Sequence, residues 1–204
     1  MRSSDPLEVA RAYEVVYVRL RQGDLAAAER DLERLASSQD VFVDMKTQAE
    51  QLFQWYTGIL RRKQGRLTEA ETCFARAFEL ASAADAILNV GRIVLDWAAV
   101  KYAGPGDSEQ VEARLGEAIQ MLQVAVGCAE RATDWSTAAK AAKNLGALLS
   151  LSDRPELGPP EFRKALVYFE RANDRAGIAR TKAMMGLTRP ELLQQWLYGD
   201  AKKD

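Results

Sequence analysis

The chain contains no histidine in 204 residues. That removes the commonest general base, the Ser/His and Cys/His nucleophile pairs and most zinc sites. The two cysteines, Cys73 and Cys128, sit within apolar helical runs and read as reduced, buried thiols. No Walker loop, GxGxxG, HExxH, CxxC or paired-cysteine spacing is present. The carboxylates Asp31/Glu33 and Glu69/Glu71 fall on outward faces with no apolar pocket beside them, a poor setting for general acid work. An enzyme, a metal site and a cofactor are therefore not expected. The residues left are ones that recognise. Asn89 and Asn144 each stand two places before a glycine, in Asn-Val-Gly and Asn-Leu-Gly. An amide both donates and accepts, so it can read the backbone of an extended strand without regard to sequence. Arg61–Arg62–Lys63 with Arg66 forms a basic knot beside a turn. It reads first as cations complementing the carbonyl end of a helix, with a phosphate contact as the alternative.

Composition narrows the setting. Apolar residues make up 48 %, charged residues 28 %, and the formal net charge is −1. No global field favours nucleic acid. The opening MRSSDPLEVA has no apolar secretory core, and no run approaches the roughly 18 apolar residues of a membrane span. The expectation is one cytoplasmic domain over residues 1–204, with neither nucleic acid nor membrane as partner.

The elements that must position these residues are helices in pairs. FQWYTGILRRKQGRLTEAETCFARAFEL, Phe53 to Leu80, reads as a helix, a turn at Gln64–Gly65 and a second helix opened by a Thr68/Glu71 capping box. Ala70, Phe74 and Ala77 lie on one face of the second helix, small-large-small, where the first helix and its Gly58 can approach closely. Looser copies of this face are Ala28–Leu32–Leu35, Ala118–Leu122–Ala125 and Ala165–Phe169–Ala172. Their leading alanines are 42, 48 and 47 residues apart. Asp5 is expected to cap the opening helix. Asp107 with Gln110 is expected to cap a long helix after the turn Ala103–Gly106, and Thr188 with Glu191 a last helix. Ser152–Pro160 reads as a proline-rich loop before a helix from Glu161.

This spacing resembles a tetratricopeptide (TPR) repeat, with its L-G-x2-Y and A-x3-F fingerprint. Thr57 stands in the leucine place, Arg61 in the tyrosine place, Trp55 one residue late, and no closing proline follows. Repeats longer than about 34 residues are similar to those of kinesin light chain, bacterial quorum-peptide receptors and the sensor arms of large bacterial ATPase regulators. The runs 132–138 and 173–179 look like the G-D-x-x-G-x-A turn of that group. The resemblance implies an all-α fold, a right-handed α-solenoid of antiparallel helix pairs. Repeats fall at about 5–37, 42–83, 84–131 and 134–173, with a half repeat at 174–187 and a C-terminal cap at 189–198. The alternative for that last helix is docking on a partner or a second copy, giving a homo-oligomer.

In such arrays the first helix of each pair lines a concave groove. With Val16, Gly58, Gly91, Gly146 and Gly186 taken as equivalent, the groove candidates are Tyr13, Tyr17, Trp55, Arg62, Asn89, Arg92, Lys140, Lys143, Asn144 and Arg180. The competing reading makes Tyr13, Tyr17 and Trp55 core packing and leaves the cations solvated. In the peptide-binding families asparagines near the Asn89 and Asn144 positions bind the ligand backbone. The lysine/asparagine clamp of chaperone-binding TPRs is not assembled, since Tyr13 and Tyr17 replace its leading residues. The implied function is a non-catalytic protein–protein interaction module, taking a peptide or protein with an acidic segment. The alternative is a regulatory sensor arm that binds a small molecule or signalling peptide and passes a conformational change to a separate effector.

Overall fold

The computed structural model describes residues 6–37, 46–103, 108–187 and 191. Among these the chain is all-α. The helices are α1 (Pro6–Gln22), α2 (Leu25–Ser37), α3 (Lys46–Lys63), α4 (Leu67–Ala83), α5 (Ile87–Ala103), α6 (Ser108–Arg131), α7 (Trp135–Leu151), α8 (Gly158–Arg171) and α9 (Arg175–Met185). One 3-10 turn, Pro155–Leu157, leads into α8. The expected caps at Asp5, Asp107 and Thr188, the turn at 104–106 and the C-terminal helix at 189–198 lie outside the described residues, Glu191 apart. Among the described residues no helix is long and apolar enough to cross a membrane.

The chain divides between Ala86 and Ile87 into two compact units. In the first, α1 packs on α2 and α3, α2 on α3, and α3 on α4. In the second, α5 to α9 pack each on the next, and α7 also touches both α5 and α9. Sequential pairing of this kind is what a helical repeat produces.

Among the described residues one turn recurs five times. Gly23, Gly65, Asp85, Thr133 and Asn173 all adopt positive φ. The residue after each donates its N–H five places back: Asp24 to Arg19, Arg66 to Arg61, Ala86 to Ala81, Asp134 to Ala129 and Asp174 to Phe169, at 2.8–3.1 Å. This is the Schellman closure, which satisfies carbonyls the helix end leaves without partners. Glycine enters it freely, and Asn and Asp tolerate it. Thr133, β-branched at φ 54°, carries strain. Where aspartate follows, it caps the next helix. Asp24 accepts from Ala27 N–H at 3.0 Å, Asp134 from Thr137 N–H at 3.2 Å and Asp174 from Gly177 N–H at 2.7 Å.

The repeat faces are buried as their spacing requires. Ala28, Leu32, Ala70, Phe74, Ala77, Ala118, Leu122, Ala125, Ala165 and Phe169 all belong to the core, while Leu35 and Ala172 are half-buried. A Cβ on Gly58 would lie 3.0 Å from the Phe74 ring, so the close approach of α3 and α4 depends on glycine. Phe169 differs in its partner. Its ring fills the space a Cβ on Gly177 of α9 would enter, while Gly146 of α7 is met by Phe162.

Two local expectations are corrected. α4 begins at Leu67 with Arg66 at its N-cap and no side-chain cap bond, so the Thr68/Glu71 box is not formed. The Schellman turn at Gly65 sets the helix entry two residues earlier, and Thr68 falls inside the first turn. Ser152–Pro160 is also less of a loop than its prolines imply. Pro155 opens the 3-10 turn, and Pro159 and Pro160 sit in the first turn of α8. There a missing N–H removes no helical bond.

Candidate binding face

The ten groove candidates fall into both units, Tyr13, Tyr17, Trp55 and Arg62 in the first and the other six in the second. In the first unit the aromatic residues serve packing. Tyr13 is 1 % exposed and donates its O–H to the Ala49 carbonyl at 3.1 Å, tying α1 to α3. Its ring stacks on Tyr56 at 5.8 Å, Tyr56 stacks on Trp55 at 5.2 Å, and Trp55 is 8 % exposed. Burial drives the Tyr13 hydroxyl well above its ordinary pKa. Only Tyr17 stands open, tilted against Tyr56 at 6.1 Å with the Arg21 guanidinium 5.9 Å from its ring centre. Arg62 is half-buried, and its Nε is enclosed without an acceptor.

Two of the four cations in the basic knot are paired with carboxylates. Arg61 meets Glu29 at 2.6 Å and Gln64 at 2.8 Å, and Arg66 forms a two-pronged pair with Glu69 at 2.6 Å. The bond from Arg61 holds the Glu29 carboxyl below its ordinary range. These cations link the repeat turns to neighbouring carboxylates, the structural of the two readings.

The second unit is different, because α7 is buried on most of its circumference. Its core residues include Ala138, Ala139, Ala141, Ala142, Leu145, Leu148 and Leu149. Apart from half-buried Trp135 at its start, what remains accessible is a polar line at helical spacing: Ser136, Lys140, Lys143, Asn144 and Ser150. Lys140 is exposed and pairs with no carboxylate among the described residues. Lys143 and Asn144 are half-buried, as is Asn89 on α5. Because α7 touches α5 and α9 directly, the helices bearing Asn89, Lys140/Lys143/Asn144 and Arg180 are neighbours.

Arg92 and Arg180 each have a carboxylate partner. Arg92 Nε lies 2.8 Å from Asp134 Oδ2, joining α5 to the start of α7. Burial alone would raise the Asp134 carboxyl. The bonds from Thr137 and Arg92 outweigh it and hold the group below its ordinary range. Arg180 lies 3.8 Å from Asp174 and is exposed, a looser pair. Ser136 was not among the expected residues, although it stands one turn before Lys140. The Arg92–Asp134 pair spans 42 residues, and no local pattern announces it.

On the far side of α7 lies a cleft of about 350 Å³ walled by α6 and α8, with Leu145 and Leu149 in its floor and Ile119, Val126 and Pro160 around it. Leu149 is nine residues from Lys140, half a revolution round the helix. The two surfaces are therefore separate. A second cluster closes one end of this cleft's walls. Tyr168 donates to the Glu130 carboxylate and stacks on Trp135 at 5.8 Å, and the Arg171 guanidinium lies 4.7 Å over the Trp135 ring.

No protein-family model matches this chain, and no curated protein does. Function therefore has to be argued from the surfaces themselves.

Proposed function

We propose that each unit is a short array of TPR-like helix pairs, and that the protein is a non-catalytic interaction module. Its partner presents an acidic, extended segment along the polar line of α7. The observation that carries this is α7 itself. A helix enclosed on its other sides leaves one accessible stripe, and that stripe holds two lysines and an amide where an apolar or neutral surface would suffice for folding. Exposed Lys140 supplies charge for acidic side chains, with half-buried Lys143 beside it, and Asn144 can bond to the backbone between them. Arg92 contributes less, since Asp134 offsets it. Tyr13 and Trp55, enclosed in the first unit, are left out of the ligand-facing set.

The test uses labelled extended peptides rich in glutamate and aspartate, followed by fluorescence anisotropy at low and physiological salt. Binding should be salt-sensitive and at least about tenfold weaker for Lys140→Glu/Lys143→Glu. Equal affinity of wild type and double variant would refute the reading. The cleft beside α6 and α8, lined by Leu145 and Leu149 and by the charged Glu130, Arg154, Glu161 and Lys164, favours a second reading, a sensor arm for a small molecule. That reading predicts ligand-dependent thermal stabilisation that survives the Lys140/Lys143 substitutions.

A further inference from the structure

Helix α1 has two seams. Tyr13, Val16 and Leu20 are buried and face α2 and α3. The other side carries Val15, Tyr17 and Val18, which are 47 %, 39 % and 45 % exposed, with exposed Arg11, Glu14 and Arg21 among them. Glu14, Val18 and Arg21 follow the 4–3 spacing of a second helix-packing stripe. Val15 and Val18 stand one turn apart on this side, with Tyr17 at its edge beside Tyr56, unlike the isolated surface residues that need no explanation.

We propose that this outer seam binds a second copy of the chain, α1 against α1, antiparallel across a twofold axis. The charge order selects the occupant. In an antiparallel pair whose axis falls between Tyr17 and Val18, each Glu14 faces Arg21 of the other copy, and each Val18 packs beside the other copy's Tyr17. A parallel pair would set Glu14 against Glu14 and Arg21 against Arg21, which like charge disfavours. The seam is thus complementary to itself, the requirement for a closed twofold dimer. Arg21 keeps its place over the Tyr17 ring while reaching the opposing carboxylate. This surface is independent of the polar line on α7.

Sedimentation equilibrium on the full chain tests it. The mass should rise with concentration from 22.6 kDa toward twice that value. Val18→Glu places a carboxylate beside the axis in each copy and should raise the midpoint concentration by about tenfold or more. Glu14→Arg alone and Arg21→Glu alone should do the same. The combined Glu14→Arg/Arg21→Glu should return the midpoint to within about threefold of wild type, because the pairing is only reversed. Lys140→Glu/Lys143→Glu should dimerise as wild type does. A monomer up to about 1 mM overturns the proposal, as does a dimer indifferent to Val18→Glu or a double reversal no better than the single ones. Helical circular dichroism confirms that each variant is folded, and Val18→Ser replaces any variant that is not.

Discussion

Glycine-to-alanine substitution at two helical positions should give opposite signs. Gly58 sits in α3 with the Phe74 ring where a Cβ would be, at 3.0–3.1 Å from three ring atoms. Gly116 sits in α6 with nothing within 4 Å of the same added atom. Alanine is favoured over glycine in a helix by about 1 kcal/mol at both places. At Gly116 that gain stands alone, so the variant should be stabilised by up to about 1 kcal/mol. At Gly58 the ring must retreat by several tenths of an ångström, and Phe74 is fully buried. Overpacking of this kind costs about 1–3 kcal/mol, which leaves a net loss of up to about 2 kcal/mol. Urea titration followed by helical circular dichroism reads both. Shortening the ring first, in Phe74→Leu, should remove most of the penalty and expose a coupling of about 1 kcal/mol in the double-mutant cycle. If Gly58→Ala stabilises as much as Gly116→Ala, α3 and α4 do not meet at that glycine and the pairing argument is wrong there.

Other outcomes follow from the turns. Thr133→Gly should raise stability by about 1 kcal/mol, because a β-branched residue at positive φ is replaced by one without that penalty; an unchanged or lowered urea midpoint would contradict the turn geometry. Asp134→Ala should cost about 1–2 kcal/mol at neutral pH, through loss of the α7 cap and of the bond from Arg92. Asp134's carboxyl is held below its ordinary range. The stability it gives is therefore present above the ordinary aspartate value near 3.9 and lost as pH falls through the lower folded one. The gap between wild type and Asp134→Ala should narrow below about pH 4. A gap that persists unchanged to lower pH would mean that the ionised form is not what Arg92 and Thr137 hold.

Much of the local architecture was legible because its causes are local. The faces Ala70–Phe74–Ala77 and Ala118–Leu122–Ala125 show in the spacing since small and large residues alternate at the helical period. Gly23 and Gly65 mark their turns because glycine is the residue that reaches positive φ without cost. The same turn at Asp85 is closed by backbone bonds between residues of no distinctive type, so nothing in Ala81–Ala86 advertises it. In the first unit the burial of Tyr13 and Trp55 agrees with the core-packing alternative, for a tertiary reason. Counting from Gly58 gives the correct helical spacing for Trp55 and Ile59. Whether that side is open depends on what packs there, and the structure has both buried. On α7 the same counting gives Lys143, which is accessible because neighbouring helices cover the alanine- and leucine-rich sides and leave the polar line open. Arg92 shows the remaining gap, since its partner Asp134 belongs to a different repeat.

The binding claim is tested most directly by amide chemical-shift mapping of the intact protein during titration with a glutamate-rich extended peptide. The shifts should concentrate at Ser136, Lys140, Lys143 and Asn144 and shrink as salt is raised. Shifts centred instead on Leu145 and Leu149, or an unperturbed α7 at saturating peptide, would contradict it.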